Sequence, residues 1–360
     1  MRRIVLAPGH VAPLIGDDDV RRVSDAIDIW DAWPVQRQDG SPAEVGPGVT
    51  LWMALGSPRF ADPDERHHHA RLQLFAQTDG RWAHLGPVMP DGFSPGSREW
   101  SGSAVLDPRG RELDLYFTAT GRRGETTPTF GQRLFRARAT LDPAAGGWRL
   151  GAWRDLAELV PHDTALYMAT DVRCAGPGTI KAFRDPAYFH DPASGADYAF
   201  FAGSKAGSRS SFNGVIGAAV RDGGARDWRL LRPLVSADGL NNELERPHAV
   251  VHEGRYYLFW STQAQVFDPA GPVGPTGLYG MVSESLLGGW KPLNGTGLVF
   301  ANPPEAPSQA YSWLVLPDLT VVSFVDDWGP RVGGRPRRFG GTFAPTLRLA
   351  LDGAAARLAD

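Results

Sequence analysis

Five short segments of the 360-residue chain concentrate residue types that can cleave and hold a sugar. In chain order they are Trp30-Asp31-Ala32-Trp33-Pro34, Glu99-Trp100-Ser101-Gly102-Ser103, Phe183-Arg184-Asp185-Pro186, Glu243-Leu244-Glu245-Arg246-Pro247 and Ala310-Tyr311-Ser312-Trp313. Paired carboxylates suit glycoside cleavage: one protonates the leaving oxygen while the other attacks the anomeric carbon or activates water there. Aromatic rings supply flat apolar faces for a sugar, and a guanidinium or a further carboxylate can hold its hydroxyls. Each segment also has a plainer reading. Asp185-Pro186 is a common turn, Glu243 and Glu245 alternate as on a solvated strand, and Trp30 and Trp100 fit a core. Taking Asp31, Trp100, Asp185, Glu245 and Tyr311 as register marks, the segments recur every 60 to 85 residues or roughly so, and this shared register argues for one site.

A scaffold must bring these distant segments together. After each one comes a strand-like run of aromatic and β-branched residues, at 50–55, 113–118, 197–202, 255–260 and 320–325. Turn formers such as Asp107-Pro108-Arg109-Gly110 and His252-Glu253-Gly254 mark hairpins. Further strands lead into Trp82, Trp148, Trp228 and Trp290, which mark the outer edges of the repeats. Gly 43 and Pro 30 make up about a fifth of the chain, which disfavours a helical bundle. The pattern implies an all-β protein: one five-bladed β-propeller domain over 1–360, with the active site at one mouth of the central channel. Residues 342–351 read as the last outer strand, and ring closure is expected to make the two chain ends share a blade. The stretch 17–26 allows a helical turn or two. A β-sandwich with a second β-domain is the competing architecture.

Composition excludes several other classes. A net charge of −3 offers no broad attraction to nucleic acid or to an anionic membrane, and no run is long and apolar enough to span a bilayer. Cys174 is the single cysteine, so it forms no intramolecular disulfide and no multi-thiolate metal site, and it reads as a small buried hydrophobe. The apolar run after Met1-Arg2-Arg3 is too short for a signal-peptide core, and the expectation is a cytoplasmic protein. His67-His68-His69 reads as a solvated loop between blades, and His248 as a core or supporting residue, neither as a metal site.

The five ordered segments, together with Gly340-Gly341-Thr342-Phe343-Ala344-Pro345-Thr346, resemble glycoside hydrolase family 68, the levansucrases, inulosucrases and bacterial β-fructofuranosidases. The likeness runs from about residue 20 nearly to the C-terminus. It implies a five-bladed propeller in which Asp31 is the nucleophile, Glu245 the general acid/base and Asp185 the stabiliser of the fructosyl transition state. It also implies substrate-binding roles for Trp30, Trp100, Ser101, Arg184, Glu243, Arg246 and Tyr311. The substrate implied is sucrose, with water or sugars as fructosyl acceptors.

Two departures from the family bear on the product and on metal. Members that build long polymers carry arginine or histidine where this chain has Gln263, a binding position on the acceptor side. Gram-positive levansucrases carry an acidic calcium ligand where this chain has Asn242, so no metal and no cofactor are expected. The reading is therefore a retaining β-fructofuranosidase that hydrolyses sucrose with some transfructosylation. The alternatives are a levansucrase or inulosucrase, and a propeller that binds carbohydrate without cleaving it.

Overall fold

A computed structural model describes residues 4, 6–145, 147–170, 181–223, 225, 227–329 and 336–359; Cys174 lies outside them. The described chain is all-β apart from short 3-10 turns, of which Asp17–Asp19 is the first. The strands run as successive antiparallel meanders. The first takes Ile27–Gln36, Val49–Pro58, Arg71–Thr78 and Arg81–Pro87 in order, and the second Arg98–Leu106, Glu112–Thr120, Gln132–Ala144 and Gly147–Glu158. Later meanders open on Phe183–His190, Glu245–His252 and Ala310–Val315.

Hydrogen bonding joins these strands into four sheets. Val35 and Gln36 pair in parallel with Ala104 and Val105, which fuses the first two meanders into one nine-stranded sheet. Only two residue pairs make that junction, so a periodic repeat in the sequence gives no sign of it.

The second strand of each meander contains one of the strand-like runs. Leu51 to Leu55, Phe117, Phe200, Phe201 and Phe259 are buried there. Both faces are covered, so these strands read as nearly continuous apolar runs without polar alternation. Burying each such side chain contributes about 1.5–3 kcal/mol. The outer tryptophans lie where the repeat pattern places them. Trp82 and Trp148 sit in fourth strands, and Trp228 and Trp290 directly precede Arg229–Leu230 and Lys291–Pro292.

The turns follow from their residues. At Glu253-Gly254 both φ angles are positive, at 49° and 75°, the geometry of the two-residue turn that matches strand twist. Asp107 instead folds its own loop, its Oδ1 accepting from the backbone N–H of Arg111 at 2.6 Å and of Glu112 at 2.7 Å.

Two sequence expectations need correction at the C-terminus. Leu347–Asp352 is a third strand, and Ala355–Leu358 beyond it is the outermost. The last meander therefore takes all four strands from the C-terminal part of the chain. The ends still meet, since Leu358 N–H donates to the Gly9 carbonyl at 2.8 Å and Ala12 N–H to the Ala301 carbonyl at 2.8 Å. The N-terminal segment thus ties onto two of the later meanders without contributing a strand to either sheet.

Candidate active site

In all five opening strands the ladder slips by one residue at the same place. The last paired residues before the slip are Trp30, Trp100, Arg184, Glu245 and Tyr311, opposite Leu55, Thr118, Ala202, Ser261 and Phe324. Such a bulge adds one unpaired residue and turns its side chain to a new direction. The residues after the slip include Asp31, Asp185, Arg246 and Ser312, with φ of 51°, 65°, 48° and 62°. A left-handed conformation at a non-glycine residue costs about 1–3 kcal/mol and collects at functional sites. In the second meander Gly102 accommodates the bulge, because a Cβ there would lie 1.9 Å from the Tyr116 carbonyl oxygen.

This geometry corrects the register read from sequence. The five marks mix two adjacent positions: Trp30, Trp100, Arg184, Glu245 and Tyr311 occupy one, and Asp31, Ser101, Asp185, Arg246 and Ser312 the next. In a regular strand such neighbours point to opposite faces. Here Trp30 with Asp31, Arg184 with Asp185, Glu245 with Arg246 and Tyr311 with Ser312 all line one cavity of about 800 Å³. Trp100, Glu243 and Gln263 line it too. Ser101 is buried beside Trp100, outside that lining, and its hydroxyl has no partner among the described residues.

Two guanidiniums organise the four carboxylates. Arg184 Nη2 donates to Glu243 Oε1 and to Glu245 Oε1, each at 2.7 Å, while its Nε stands 3.5 Å from Asp185 Oδ2. The second oxygen of Glu245 accepts from the Tyr311 hydroxyl. Arg246 is held from behind, Nη1 donating to Ser312 Oγ at 2.9 Å and Nη2 to the Ala32 carbonyl at 2.8 Å. Ser312 also hydrogen-bonds Asp31, whose carboxyl burial pushes above its ordinary range against the pull of Arg246. Burial, helped by Asp31 and Glu245, pushes Asp185 up to about 7 although Arg184 and Arg246 oppose it. Glu243 rises to about 7 by burial and by its neighbour Glu245, with Arg184 and Lys181 pulling the other way. Asp185 and Glu243 are thus both held near neutrality by their surroundings, the kind of perturbation that gathers at functional sites.

Three residues of this lining carry a donor without a protein partner. Arg184 Nη1, Trp100 Nε1 and Arg66 Nε are buried and unpaired among the described residues. Such groups are costly unless a ligand or water completes them, which fits a site built for hydroxyl-rich molecules.

Sequence reasoning missed part of the wall. The 3-10 turn Pro63–His68 brings Arg66 to 5.5 Å from the Trp30 ring, and His67 packs edge-on against the same ring at 5.8 Å. The reading of 67–69 as a solvated loop fits the exposed His68 and His69, whereas His67 is half-buried in the turn, and desolvation beside Arg66 lowers its imidazole to about 3 and keeps it neutral. Arg337 bridges Asp64 at 2.7 Å and Asp326 at 2.5 Å, tying this turn to the last meander. The signal available was Asp62-Pro63, a helix cap followed by a first-turn proline, with Asp62 Oδ1 accepting from Asp64 N–H at 3.0 Å.

His248 supports the site from behind, as its alternating position suggests. Its Nε2 accepts from Val315 N–H at 2.8 Å, which leaves Nδ1 to donate to the Arg246 carbonyl at 2.9 Å. Burial lowers its pKa to about 4. A neutral imidazole thereby pins the Arg246 bulge to the next meander. A second cavity of about 830 Å³ also reaches Asp185 and Arg246, but it contains neither Asp31 nor Glu245.

The surroundings of Asn242 do not fit calcium. Asn242 Oδ1, Asn213 Oδ1 and the Ser211 carbonyl receive the Lys181 ammonium, so a divalent cation there would meet a like charge. Among the described residues no group of three or more His, Cys, Asp or Glu is arranged to hold a metal ion.

Curled all-β sheets with a partly buried carboxylate cluster at aligned bulges define a glycosidase-like enzyme, and comparison with known proteins places it more closely. The chain belongs to glycoside hydrolase family 68, whose levansucrase/invertase model matches residues 8–220 and 208–359. It is 34% identical over 387 residues to levansucrase LscB of Pseudomonas savastanoi pv. glycinea, covering 96% of this chain and 86% of that one. The inulosucrase from Halalkalicoccus jeotgali bound to kestose superposes with a TM-score of 0.89 at 37% identity, covering 99% of this chain and 92% of that one. The β-fructofuranosidase catalytic domain of Microbacterium saccharophilum K-1 superposes with a TM-score of 0.84 at 25% identity, covering 98% and 85%.

Proposed function

We propose that this protein is a retaining fructosyltransferase that takes its fructosyl group from sucrose. The observation that carries the reading is the pairing of Asp31 with a Glu245 oriented through both oxygens, by Arg184 and by Tyr311, inside one cavity. Glu245 protonates the departing glucose oxygen while Asp31 attacks the ketose carbon, giving a covalent fructosyl ester. Glu245 then takes a proton from the acceptor hydroxyl, and the acceptor attacks from the face that glucose left, so configuration is retained. Asp185, Arg246 and the free Arg184 Nη1 hold ring hydroxyls, most strongly as the ring flattens toward the oxocarbenium state. Trp30 and Trp100 supply apolar walls. The scaffold is best understood as a five-bladed propeller, the fused first sheet counting as two blades, with this cavity at one mouth of the channel.

Likeness to proteins named levansucrase and to an inulosucrase bound to kestose supports sugar as an acceptor here. A second reading, predominant hydrolysis, rests on Gln263. Its amide oxygen accepts from Gln265 Nε2, so the acceptor side presents a neutral amide pair there and no charged side chain at position 263. Incubation with sucrose separates the two, with glucose and free fructose measured independently. Glucose release well above free fructose, with oligosaccharide formed, is expected. Equal amounts would establish hydrolysis, and release of neither would refute both readings.

A further inference from the structure

Behind the carboxylate cluster lies a buried lysine that the mechanism above does not use. Lys181 stands just before the third opening strand, with Gln132 Nε2 donating to its carbonyl at 3.0 Å. Its Nζ donates to Asn213 Oδ1 at 2.7 Å, to the Ser211 carbonyl at 2.8 Å and to Asn242 Oδ1 at 3.2 Å. Asn213 and Asn242 are fully buried. An ammonium is costly to dehydrate, and these oxygens replace water around it.

The segment that Lys181 grips leads directly into the site. Asn242 N–H donates to the Val266 carbonyl at 2.9 Å, Glu243 N–H to Asn241 Oδ1 at 2.7 Å, and Thr262 Oγ1 to the Glu243 carbonyl at 2.7 Å. Glu243 is thus fixed from its backbone, one residue beyond a side chain held by a cation. We propose that Lys181 is a positioning residue for the active site: its ammonium, locked among Ser211, Asn213 and Asn242, fixes the 241–243 segment and supports negative charge on Glu243. This rests on the cavity being the fructosyl site.

The charged and titratable groups around Glu243 are Arg184 at 2.7 Å, Glu245, Tyr311 and Lys181. Burial and Glu245 raise its pKa to about 7, and Arg184 and Lys181 restrain the rise. A carboxyl raised on folding weakens the fold progressively as pH climbs from its unfolded pKa to its folded one. Without the Lys181 charge the folded pKa moves higher, so the loss continues to more alkaline pH.

The test is a cycle of Lys181→Gln and Lys181→Arg, each with and without Glu243→Gln, followed by Tm from pH 5.5 to 8.5 and by kcat/KM for sucrose. Glutamine keeps hydrogen-bonding capacity and removes the charge. The Tm deficit of Lys181→Gln is expected to widen by about 2 °C or more as pH rises through 7, to stop widening in the Glu243→Gln background, and to be largely restored by arginine. Its kcat/KM falls with the acid limb displaced upward by roughly one pH unit. A deficit independent of pH, or a widening that persists without Glu243, overturns the proposal and leaves an ordinary structural lysine. If the wild type does not act on sucrose, the functional reading fails, and the Tm cycle still decides the coupling.

Discussion

Replacing Asp31 by Asn is expected to remove nearly all turnover while raising thermal stability. The two effects share one cause. Asp31 is half-buried at a bulge with φ of 51°, and desolvation holds its carboxyl above the ordinary range in spite of Arg246 and the Ser312 hydroxyl. A folded-state pKa raised above the unfolded one means that, at neutral pH, the ionised carboxylate destabilises the fold. Asparagine keeps the shape and the hydrogen-bonding capacity toward Ser312 but carries no charge, so that cost disappears. It is also a poor nucleophile, and turnover should fall on the order of 10⁴-fold or more. Steady-state rates with sucrose and a thermal melt at pH 7 check the prediction. A variant retaining a tenth of wild-type activity would show that Asp31 does not attack.

The second large effect concerns Arg184. Its Nη2 serves Glu243 and Glu245 together at 2.7 Å, and its charge offsets that of Asp185. Arg184→Met leaves these carboxylates buried without it, a class of change that costs about 3–5 kcal/mol. The loss should be greatest above pH 7, where Glu243 and Asp185 ionise even in the wild type, and smaller at pH 5, where both are protonated. Arg184→Lys distinguishes scaffold from catalysis. One ammonium can reach both glutamates, but it has no second nitrogen to replace the unpartnered Nη1. Lysine is therefore expected to recover much of the stability and little of the activity, with KM for sucrose raised. Equal recovery of both would mean that Nη1 does not touch the sugar.

The sequence exposed the positions of the opening strands because each carries rare chemistry and is followed by an apolar run that both faces of a buried strand require. The bulges were hidden, and the register error followed from them. A one-residue slip leaves composition and spacing nearly unchanged, yet it decides that Glu245 aligns with Arg184 while Arg246 aligns with Asp185. Alternation alone would send Trp30 and Asp31 to opposite faces, whereas both line the cavity. Arg66 and His67 were overlooked for a different reason: a polar run after Asp62-Pro63 has the composition of a loop, and only packing on Trp30 makes it a wall. Lys181 gave no signal, since its role comes from oxygens supplied at 211, 213 and 242.

A fructosyl ester on Asp31 is the intermediate on which the mechanism turns, and it can be trapped by rapid acid quenching of enzyme mixed with sucrose, followed by peptide mass spectrometry. One fructosyl increment is expected on the peptide containing Asp31, and none in Asp31→Asn. Turnover of sucrose with no adduct on that peptide, or with the adduct on Glu245 or Asp185, would contradict it.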